Sequence, residues 1–205
     1  MARRNTPRIS FIGFGEAGQA IAAGLRDAGL ERIAAWDILF PESAGALLKA
    51  AGDAMGVRTA SSARDAVREA DLIISAVTAA SSVDAAHSVA PHLTGNPYYL
   101  DINSVSPGRK LETARLLGER ARYVDVAVIA PIHPARHRTP LLLSGPQAEE
   151  VSPLLHALDM QFSVVGPQTG SAAAIKMIRS VMIKGIEALH SNVSSPPLEL
   201  GCWRK

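Results

Sequence analysis

The sequence predicts an α/β fold in which helices cover a doubly wound, mostly parallel sheet, followed by a long C-terminal helix. Short apolar runs of strand length alternate with segments of helical periodicity along most of the 205 residues, which is the pattern of repeated strand–helix–strand crossovers. Residues 71–77 are largely apolar, as expected of a strand that is covered on both faces. The third observation is a glycine-rich turn between the first predicted strand and the first predicted helix.

The first three elements form one strand–helix–strand unit. Residues 9–12 are an apolar run, residues 17–28 place apolar side chains at helical spacing, and Gly29 stands where a helix C-cap is expected. Residues 33–36 predict a second buried strand, which is followed by Asp37. Such a unit, with glycines at its first turn, indicates a Rossmann-type fold.

The rest of the chain continues the alternation. Pro41 and Pro107 stand at helix starts, where proline is well tolerated. The further predicted elements are, in order, a helix over residues 42–51, a strand over 57–59, a helix over 62–70, a strand over 71–77, a helix over 82–90, a strand over 98–102, a helix over 107–119, strands over 123–128 and 141–144, a helix over 148–159, a strand over 161–165 and a helix over 172–189.

Composition argues against several classes of function. The formal net charge is only +2, and no basic stripe interleaved with aromatic residues is present, so a nucleic acid partner is not expected. No segment reaches the roughly 18 consecutive apolar residues that indicate a membrane-spanning helix. The single cysteine, Cys202, excludes an internal disulfide and suits a reducing compartment, so a cytoplasmic protein is expected.

The glycine-rich turn predicts a dinucleotide site. Gly13 permits the tight turn, Gly15 lets the backbone approach a pyrophosphate, and Gly18 lets the helix pack close to the strand. The free amides and the positive dipole end of the following helix favour phosphate binding. The cofactor-binding residues predicted in this turn are Gly13, Phe14, Gly15, Glu16, Ala17 and Gly18. The alternative is a plain strand–helix–strand unit without a ligand, because glycines also mark ordinary turns.

Asp37 predicts which dinucleotide is bound. A carboxylate after the second strand accepts hydrogen bonds from the adenosine ribose hydroxyls and repels a 2′-phosphate. NAD is therefore the favoured cofactor, and NADP is the alternative.

Two further segments follow strands of the predicted parallel sheet, where ligands bind. Val77 and Thr78 are expected to line the cofactor groove, and Asn103 and Ser104 to lie beside the nicotinamide. The alternative for each segment is turn and cap chemistry, which is favoured for Ser106 because a proline follows it.

Together these residues make the chain resemble the β-hydroxyacid dehydrogenases, the superfamily of 3-hydroxyisobutyrate and 6-phosphogluconate dehydrogenases. Residues 12–18 are similar to the cofactor motif of that family, and residues 101–107 to its Asp-x-Ser-Thr-x-x-Pro segment, with Asn103 in place of a substrate-facing serine. Residues 125–128 resemble the first half of its Asp-Ala-Pro-Val-Ser-Gly-Gly loop, and residues 170–180 resemble its Gly-x-Gly-x-x-x-Lys-x-x-Asn-Asn motif.

The resemblance implies hydride transfer between NAD(P) and a small hydroxy acid, with Lys176 as the catalytic acid/base. It places Arg179 and Ser180 at the family's two asparagines and, with Asn103 and Ser104, implies that they bind the substrate. The chain departs from the family at residues 129–131, where Ile-Ala-Pro replaces Ser-Gly-Gly. The Pro-Ile-His-Pro sequence that begins at Pro131 is closer to a bacterial subgroup of 6-phosphogluconate-dehydrogenase-like oxidoreductases, whose C-terminal domain has no known function.

The chemistry of Lys176 depends on its neutral form. A lysine removes a hydroxyl proton only when desolvation or nearby positive charge lowers its pKa. Arg179 and Lys184 lie near the same helix face and are suited either to supplying such charge or to binding an acidic substrate. Spacing alone favours a solvated basic stripe on a long helix, and only the family resemblance favours catalysis.

A second basic cluster lies in a proline-rich segment. His133 and His137 have the i, i+4 spacing of a helical metal pair, but the surrounding prolines oppose a regular helix. No adjacent Cys, Asp or Glu completes a ligand set. We therefore expect no metal, and interpret the segment, which includes Arg136 and Arg138, as a surface loop or an anion-contacting lid.

The predicted organisation is a dinucleotide-binding domain over residues 1–170, a helix over 171–189 that begins a truncated helical domain, and an irregular tail over 190–205. Members of the family carry a helical domain of roughly 100 residues after this helix. We therefore expect cofactor binding with weak or absent turnover, and a homo-oligomer formed through the exposed C-terminal helix.

Two functions remain open at this stage. The first is an NAD(P)-dependent oxidoreductase of a small hydroxy acid. The alternative is a dinucleotide-binding module without catalysis, either a sensor or a degenerate remnant. A third interpretation, a reductase of cyclic imines, shares the fold but lacks support from residues 170–176.

Overall fold

The computed structural model describes residues 6–194, with side chains as far as residue 190. The strands are β1 (Ile9–Ile12), β2 (Ile33–Trp36), β3 (Arg58–Thr59), β4 (Leu72–Ser75), β5 (Tyr98–Asp101), β6 (Arg122–Val128), β7 (Leu141–Ser144) and β8 (Phe162–Gly166). The helices are α1 (Glu16–Asp27), α2 (Ala46–Ala54), α3 (Ala63–Val67), α4 (Ser82–Val89), α5 (Pro107–Leu117), α6 (Ala148–Ala157) and α7 (Ser171–Ser194). In the part of the chain described here, no helix is both long enough and apolar enough to span a membrane.

The strands form one eight-stranded sheet in the order β3-β2-β1-β4-β5-β6-β7-β8. All neighbouring strands are parallel except β6 and β7, which are antiparallel. This confirms the predicted doubly wound, mostly parallel sheet, and α7 confirms the predicted long helix. The strand order reverses between β1 and β4, so a crevice opens at the carboxyl ends of these strands, as is typical of ligand sites in such sheets.

The central strands are apolar because the sheet has a hydrophobic core on each face. One core contains Phe11, Leu100 and Val124, and the other contains Ile73 and Tyr99. β1, β4 and β5 are buried at every position, so their sequences lack the polar alternation of half-exposed strands. The register places the last residues of the central strands side by side, and the polar side chains that follow them therefore lie together.

Three helices differ from the sequence prediction. α2 begins at Ala46, after a single 3-10 turn over residues 43–45, and not at residue 42. α3 begins after Ser62, whose side chain accepts a hydrogen bond from the amide of Asp65, and it ends at Val67. α7 continues to Ser194 and not only to residue 189, since no proline occurs between Pro167 and Pro196. The remainder of the predicted tail, residues 195–205, lies outside the described residues.

The proline-rich segment is only partly the surface loop that the sequence indicates. His137 is buried, and its ring lies against Gly24 of α1. Burial lowers the pKa of His137, with the neighbouring Arg138 charge acting in the same direction. On either side, Arg136 pairs with Asp27 and Arg138 pairs with Asp159. The interpretation of His137 as a surface residue is therefore wrong, because this segment packs against the helix that follows the glycine turn.

The contact between Gly24 and His137 generates the first prediction. Gly24→Ala would normally strengthen a helix by about 1 kcal/mol, but the added Cβ would lie 2.2 Å from Nδ1 of His137. We expect Gly24→Ala to lower the free energy of unfolding by about 1–3 kcal/mol, measured by urea denaturation. Gly185→Ala in α7 is the control, because its Cβ would meet no atom within 4 Å, and it should stabilise the chain. A Gly24→Ala midpoint at or above that of the parent chain would contradict this packing.

Candidate cofactor and substrate site

The glycine turn has the shape that a pyrophosphate needs. Gly13 has a φ of +90°, and a Cβ there would lie 2.3 Å from the carbonyl oxygen of Ala76. A Cβ on Gly18 would lie 2.6 Å from the carbonyl oxygen of Gly13. Both glycines are thus required by the fold itself. Gly15 differs from them, because a Cβ there would meet nothing within 4 Å, so open space lies above the turn.

The first turn of α1 offers free donors to that space. The first amides of a helix have no intrahelical acceptor, and Gly15, the N-cap of α1, provides no side-chain cap. Glu16 and Ala17 therefore present backbone N–H groups at the positive end of a 12-residue helix. Phe14 offers no free donor, since its side chain is buried in the core and its amide donates to Asp37. These residues fit a dinucleotide phosphate.

Asp37 is anchored against the same turn. Its Oδ2 accepts a hydrogen bond from the amide of Phe14 at 2.7 Å, and its Oδ1 accepts one from the amide of Leu39 at 3.0 Å. These bonds hold the carboxylate at the carboxyl end of β2, beside the turn. Each carboxylate oxygen can accept a further hydrogen bond, so the group is suited to ribose hydroxyls.

Asn103 links the cofactor crevice to the neighbouring cavity. Its Oδ1 accepts a hydrogen bond from the amide of Val77 at 2.7 Å, and its Nδ2 donates to Oγ of Ser75 at 2.9 Å. The side chain is buried, and this bridge between the ends of β4 and β5 occupies its amide. Thr78, next to Val77, is exposed in a turn and bonds to Ser81. Asn103 therefore connects the two strand ends that border the crevice.

A cavity of about 240 Å³ lies beyond Asn103, between the ends of β5 and β6 and the start of α7. Besides Asn103, two of the predicted substrate-binding residues, Ser104 and Ser180, line it together with Lys176, the predicted catalytic residue. The guanidinium of Arg179 is directed elsewhere, since it donates to the carbonyl oxygen of Ile129. The remaining lining residues are Val105, Ser106, Lys110, Val126, Ala127, Ala173 and Met177.

Lys176 is half-buried in the wall of this cavity. Its Nζ donates a hydrogen bond to Oγ of Ser104 at 2.8 Å. Burial lowers the pKa of Lys176, and the positive charge of Lys110 lowers it further. Both effects favour the neutral amine, which is the form that accepts a proton from a hydroxyl group.

Lys110 is a residue of this site that the sequence analysis missed. Its side chain is 1% exposed, and its Nζ lies 3.1 Å from Oδ1 of Asp101 and 3.3 Å from Oδ1 of Asp125. It also donates to the backbone carbonyl of Asp101. Helical spacing could have indicated that Lys110 is buried, because it shares one face of α5 with Thr113 and Leu117.

The two carboxylates around Lys110 hold the elements that form the cavity. Oδ2 of Asp125 accepts hydrogen bonds from Oγ of Ser144 and from the amides of Gly170 and Ala173 at the start of α7. Oδ2 of Asp101 accepts one from the hydroxyl of Tyr123 at 2.8 Å. Burial raises the pKa of Tyr123, so its hydroxyl stays protonated and remains a donor.

Residues 8–166 match the family described as the NAD binding domain of 6-phosphogluconate dehydrogenase. The chain is 39% identical to the solved structure of a conserved hypothetical protein from Sinorhizobium meliloti, with a TM-score of 0.83, over 90% of this chain and 62% of that one. It is 32% identical to a conserved protein of unknown function that is structurally similar to 3-hydroxyacid dehydrogenases, with a TM-score of 0.76, over 89% of this chain and 66% of that one.

The chain is also similar to an imine reductase of Myxococcus stipitatus. A variant of that enzyme solved with NAD+ is 26% identical, with a TM-score of 0.70, over 91% of this chain and 63% of that one. The enzyme has also been solved with NADP+. The chain thus spans about two thirds or less of the length of these relatives, all of which share its fold.

The environment of Lys176 predicts its titration. After reductive ¹³C-methylation, the NMR signal of Lys176 should titrate at a lower pH than that of a methylated lysine model compound, because burial and the Lys110 charge disfavour the ammonium form. The signal is assigned by its loss in Lys176→Arg. A midpoint at or above that of the model compound would show that the cavity leaves this amine solvated.

Proposed function

The chain belongs to the family of the NAD binding domain of 6-phosphogluconate dehydrogenase, and on this premise we propose that it is the cofactor-binding part of an NAD(P)-dependent oxidoreductase of small hydroxy acids. The observation that carries the proposal is a continuous path of residues. The open glycine turn, the bridge made by Asn103 and the pair of Lys176 and Ser104 follow one another along the same edge of the sheet.

The residues of the cavity have complementary roles in the proposed reaction. The bound dinucleotide supplies the hydride acceptor or donor at its nicotinamide ring. Lys176 takes the proton of the substrate hydroxyl in the oxidation and returns it in the reduction, while Ser104 orients the amine. Ser180 lies one turn further along α7 and binds the polar end of the substrate. We assign the substrate carboxylate to Arg179, which leaves the carbonyl of Ile129 on binding.

The position of Asp37 supports NAD as the preferred cofactor. Its carboxylate stays beside the glycine turn through two backbone amides, and a 2′-phosphate placed there would meet a negative charge. A variant of the Myxococcus stipitatus imine reductase has been solved with NAD+, and that enzyme with NADP+, so the fold alone does not select between the two dinucleotides.

We further propose that residues 1–170 form the cofactor domain and that α7 connects it to a helical substrate domain. The face of α7 supports this assignment, because several large apolar side chains on it are exposed: Ile178, Val181, Met182, Ile186 and Leu189. A second copy of the chain can cover the same face, which is the basis for proposing a homo-oligomer. The single cysteine of the sequence, Cys202, suits a cytoplasmic, reducing setting.

The second candidate function is a dinucleotide-binding module without catalysis. The observation in its favour is that same exposed face of α7, because no segment among residues 6–194 covers it beside the cavity. A cavity open on that side admits water, which weakens the electrostatic control of a proton transfer.

Cofactor binding is tested at Gly15. Alanine fits its backbone, which has a φ of −72°, and its Cβ meets no protein atom, so Gly15→Ala should keep the melting temperature of the parent. The methyl group would fill the space for the pyrophosphate, and we expect NAD affinity to fall by about tenfold or more in calorimetry. Gly108→Ala in α5 is the matched control and should bind NAD normally. Equal NAD affinity of Gly15→Ala and the parent would contradict pyrophosphate binding at the glycine-rich turn.

The same calorimetry with both dinucleotides tests Asp37. Tighter binding of NADP than of NAD by the parent would contradict its proposed role.

Catalysis is tested at Lys176. In an NADH absorbance assay with a panel of 3-hydroxy acids, Lys176→Ala should lose about 100-fold or more of the turnover, the usual contribution of a general base, while NAD affinity stays unchanged. Exposed Lys49→Ala is the control and should keep full activity. Tight NAD binding by the parent without turnover of any substrate would instead favour the non-catalytic module.

A further inference from the structure

A buried ammonium group lines the same cavity as the candidate acid/base. Lys110 is almost fully enclosed, and removing such a charge from water costs several kcal/mol unless partners surround it. Four acceptors do so: the carboxylates of Asp101 and Asp125 and the backbone carbonyls of Asp101 and Val126. These acceptors belong to β5 and β6, so Lys110 ties α5 to the ends of both strands.

The same network reaches the helix that carries Lys176. Asp125, which pairs with Lys110, accepts hydrogen bonds at 3.1 Å from the amides of both Gly170 and Ala173. Ala173 lies one helical turn before Lys176, so these bonds determine where α7 begins and which way the lysine side chain leaves it. A displacement of Asp125 would therefore be transmitted to Lys176.

Lys110 also contributes its charge. The charged groups on the elements packed against α7 are Lys110 on α5, Asp101 on β5 and Asp125 on β6, and both carboxylates pair with Lys110. On α7 itself, the guanidinium of Arg179 is directed to a backbone carbonyl. The charge of Lys110 lowers the pKa of Lys176. Removing Lys110 would therefore take away a charge that disfavours the ammonium form of Lys176 and would leave two carboxylates of the same network without their cationic partner.

We propose that Lys110 is a positioning residue of this site, which holds α5, β5, β6 and the start of α7 together and keeps the amine of Lys176 directed at Ser104. The catalytic meaning of this role rests on the proposed function of Lys176. The contacts that support this role are those of Lys110 with Asp101 and Asp125, and they do not involve the glycine-rich turn.

The test measures the titration of Lys176 directly and needs neither substrate nor turnover. In Lys110→Met, the ¹³C-methyl signal of Lys176 should titrate at a higher pH than in the parent chain. Arg109→Met is the matched control, because it removes a positive charge from the adjacent position of α5, where the side chain is exposed and pairs with Glu112. Arg109→Met should leave the titration of Lys176 unchanged.

Two further variants keep the test decisive if Lys110→Met does not fold. Lys110→Gln removes the charge but keeps a donor for Asp101 and Asp125, and should show the same upward shift. Lys110→Arg keeps the charge and should restore a midpoint close to that of the parent. An unchanged midpoint in folded Lys110→Gln, or an equal shift in Arg109→Met, would overturn the proposal. Loss of the fold in both neutral variants would also overturn it, because Lys110 would then have no effect on Lys176 apart from stability.

NAD calorimetry on the same samples separates this inference from the proposed function. A parent chain that does not bind NAD would refute the proposed function, yet the titration of Lys176 would still report whether Lys110 acts on it. Normal NAD binding by Lys110→Gln with an unshifted Lys176 would refute the role of Lys110 alone.

Discussion

The arrangement of the residues on the cavity side of this molecule depends on one buried cluster of charges. The ammonium of Lys110 and the carboxylates of Asp101 and Asp125 lie at the ends of adjacent strands, in a region where an unpaired charge would be costly. The cluster is tolerated because nearly every acceptor has a donor: Tyr123 and Ser144 supply hydroxyl groups, and the start of α7 supplies backbone amides. The same bonds that satisfy the charges also determine how α5 and α7 meet the sheet.

The glycine-turn side depends on close packing instead of charge. Gly13 and Gly18 allow backbone segments to approach where any Cβ would collide, whereas Gly15 leaves an opening at the start of α1. Behind this helix, His137 fills the space above Gly24. The two sides meet at Asn103, whose amide connects the ends of β4 and β5. A ligand that spans both sides would therefore contact a preformed surface, in which little reorganisation is needed.

Much of the fold could be predicted because burial imposes a pattern on the residues. β1, β4 and β5 are buried on both faces, so their apolar runs mark them within one or two residues of their observed ends. α3 is shorter than predicted because the chain turns at Glu69, whose φ of +61° is not signalled by its residue type. α2 begins late because the preceding segment forms tight local turns, in which a Cβ on Gly45 would lie 1.9 Å from the carbonyl oxygen of Leu39.

The sequence by itself determined the class of the fold, the glycine turn, the acid after the second strand and the position of Lys176, because each is a local pattern or a short motif. Only the tertiary structure decided which of the predicted polar residues lie together. In the folded chain, Arg179 is directed to Ile129, Asn103 bridges two strands, and Lys110 is buried beside the cavity. These outcomes depend on contacts between residues far apart in the chain, and no periodicity or spacing in the sequence records which distant carboxylate will meet a buried lysine.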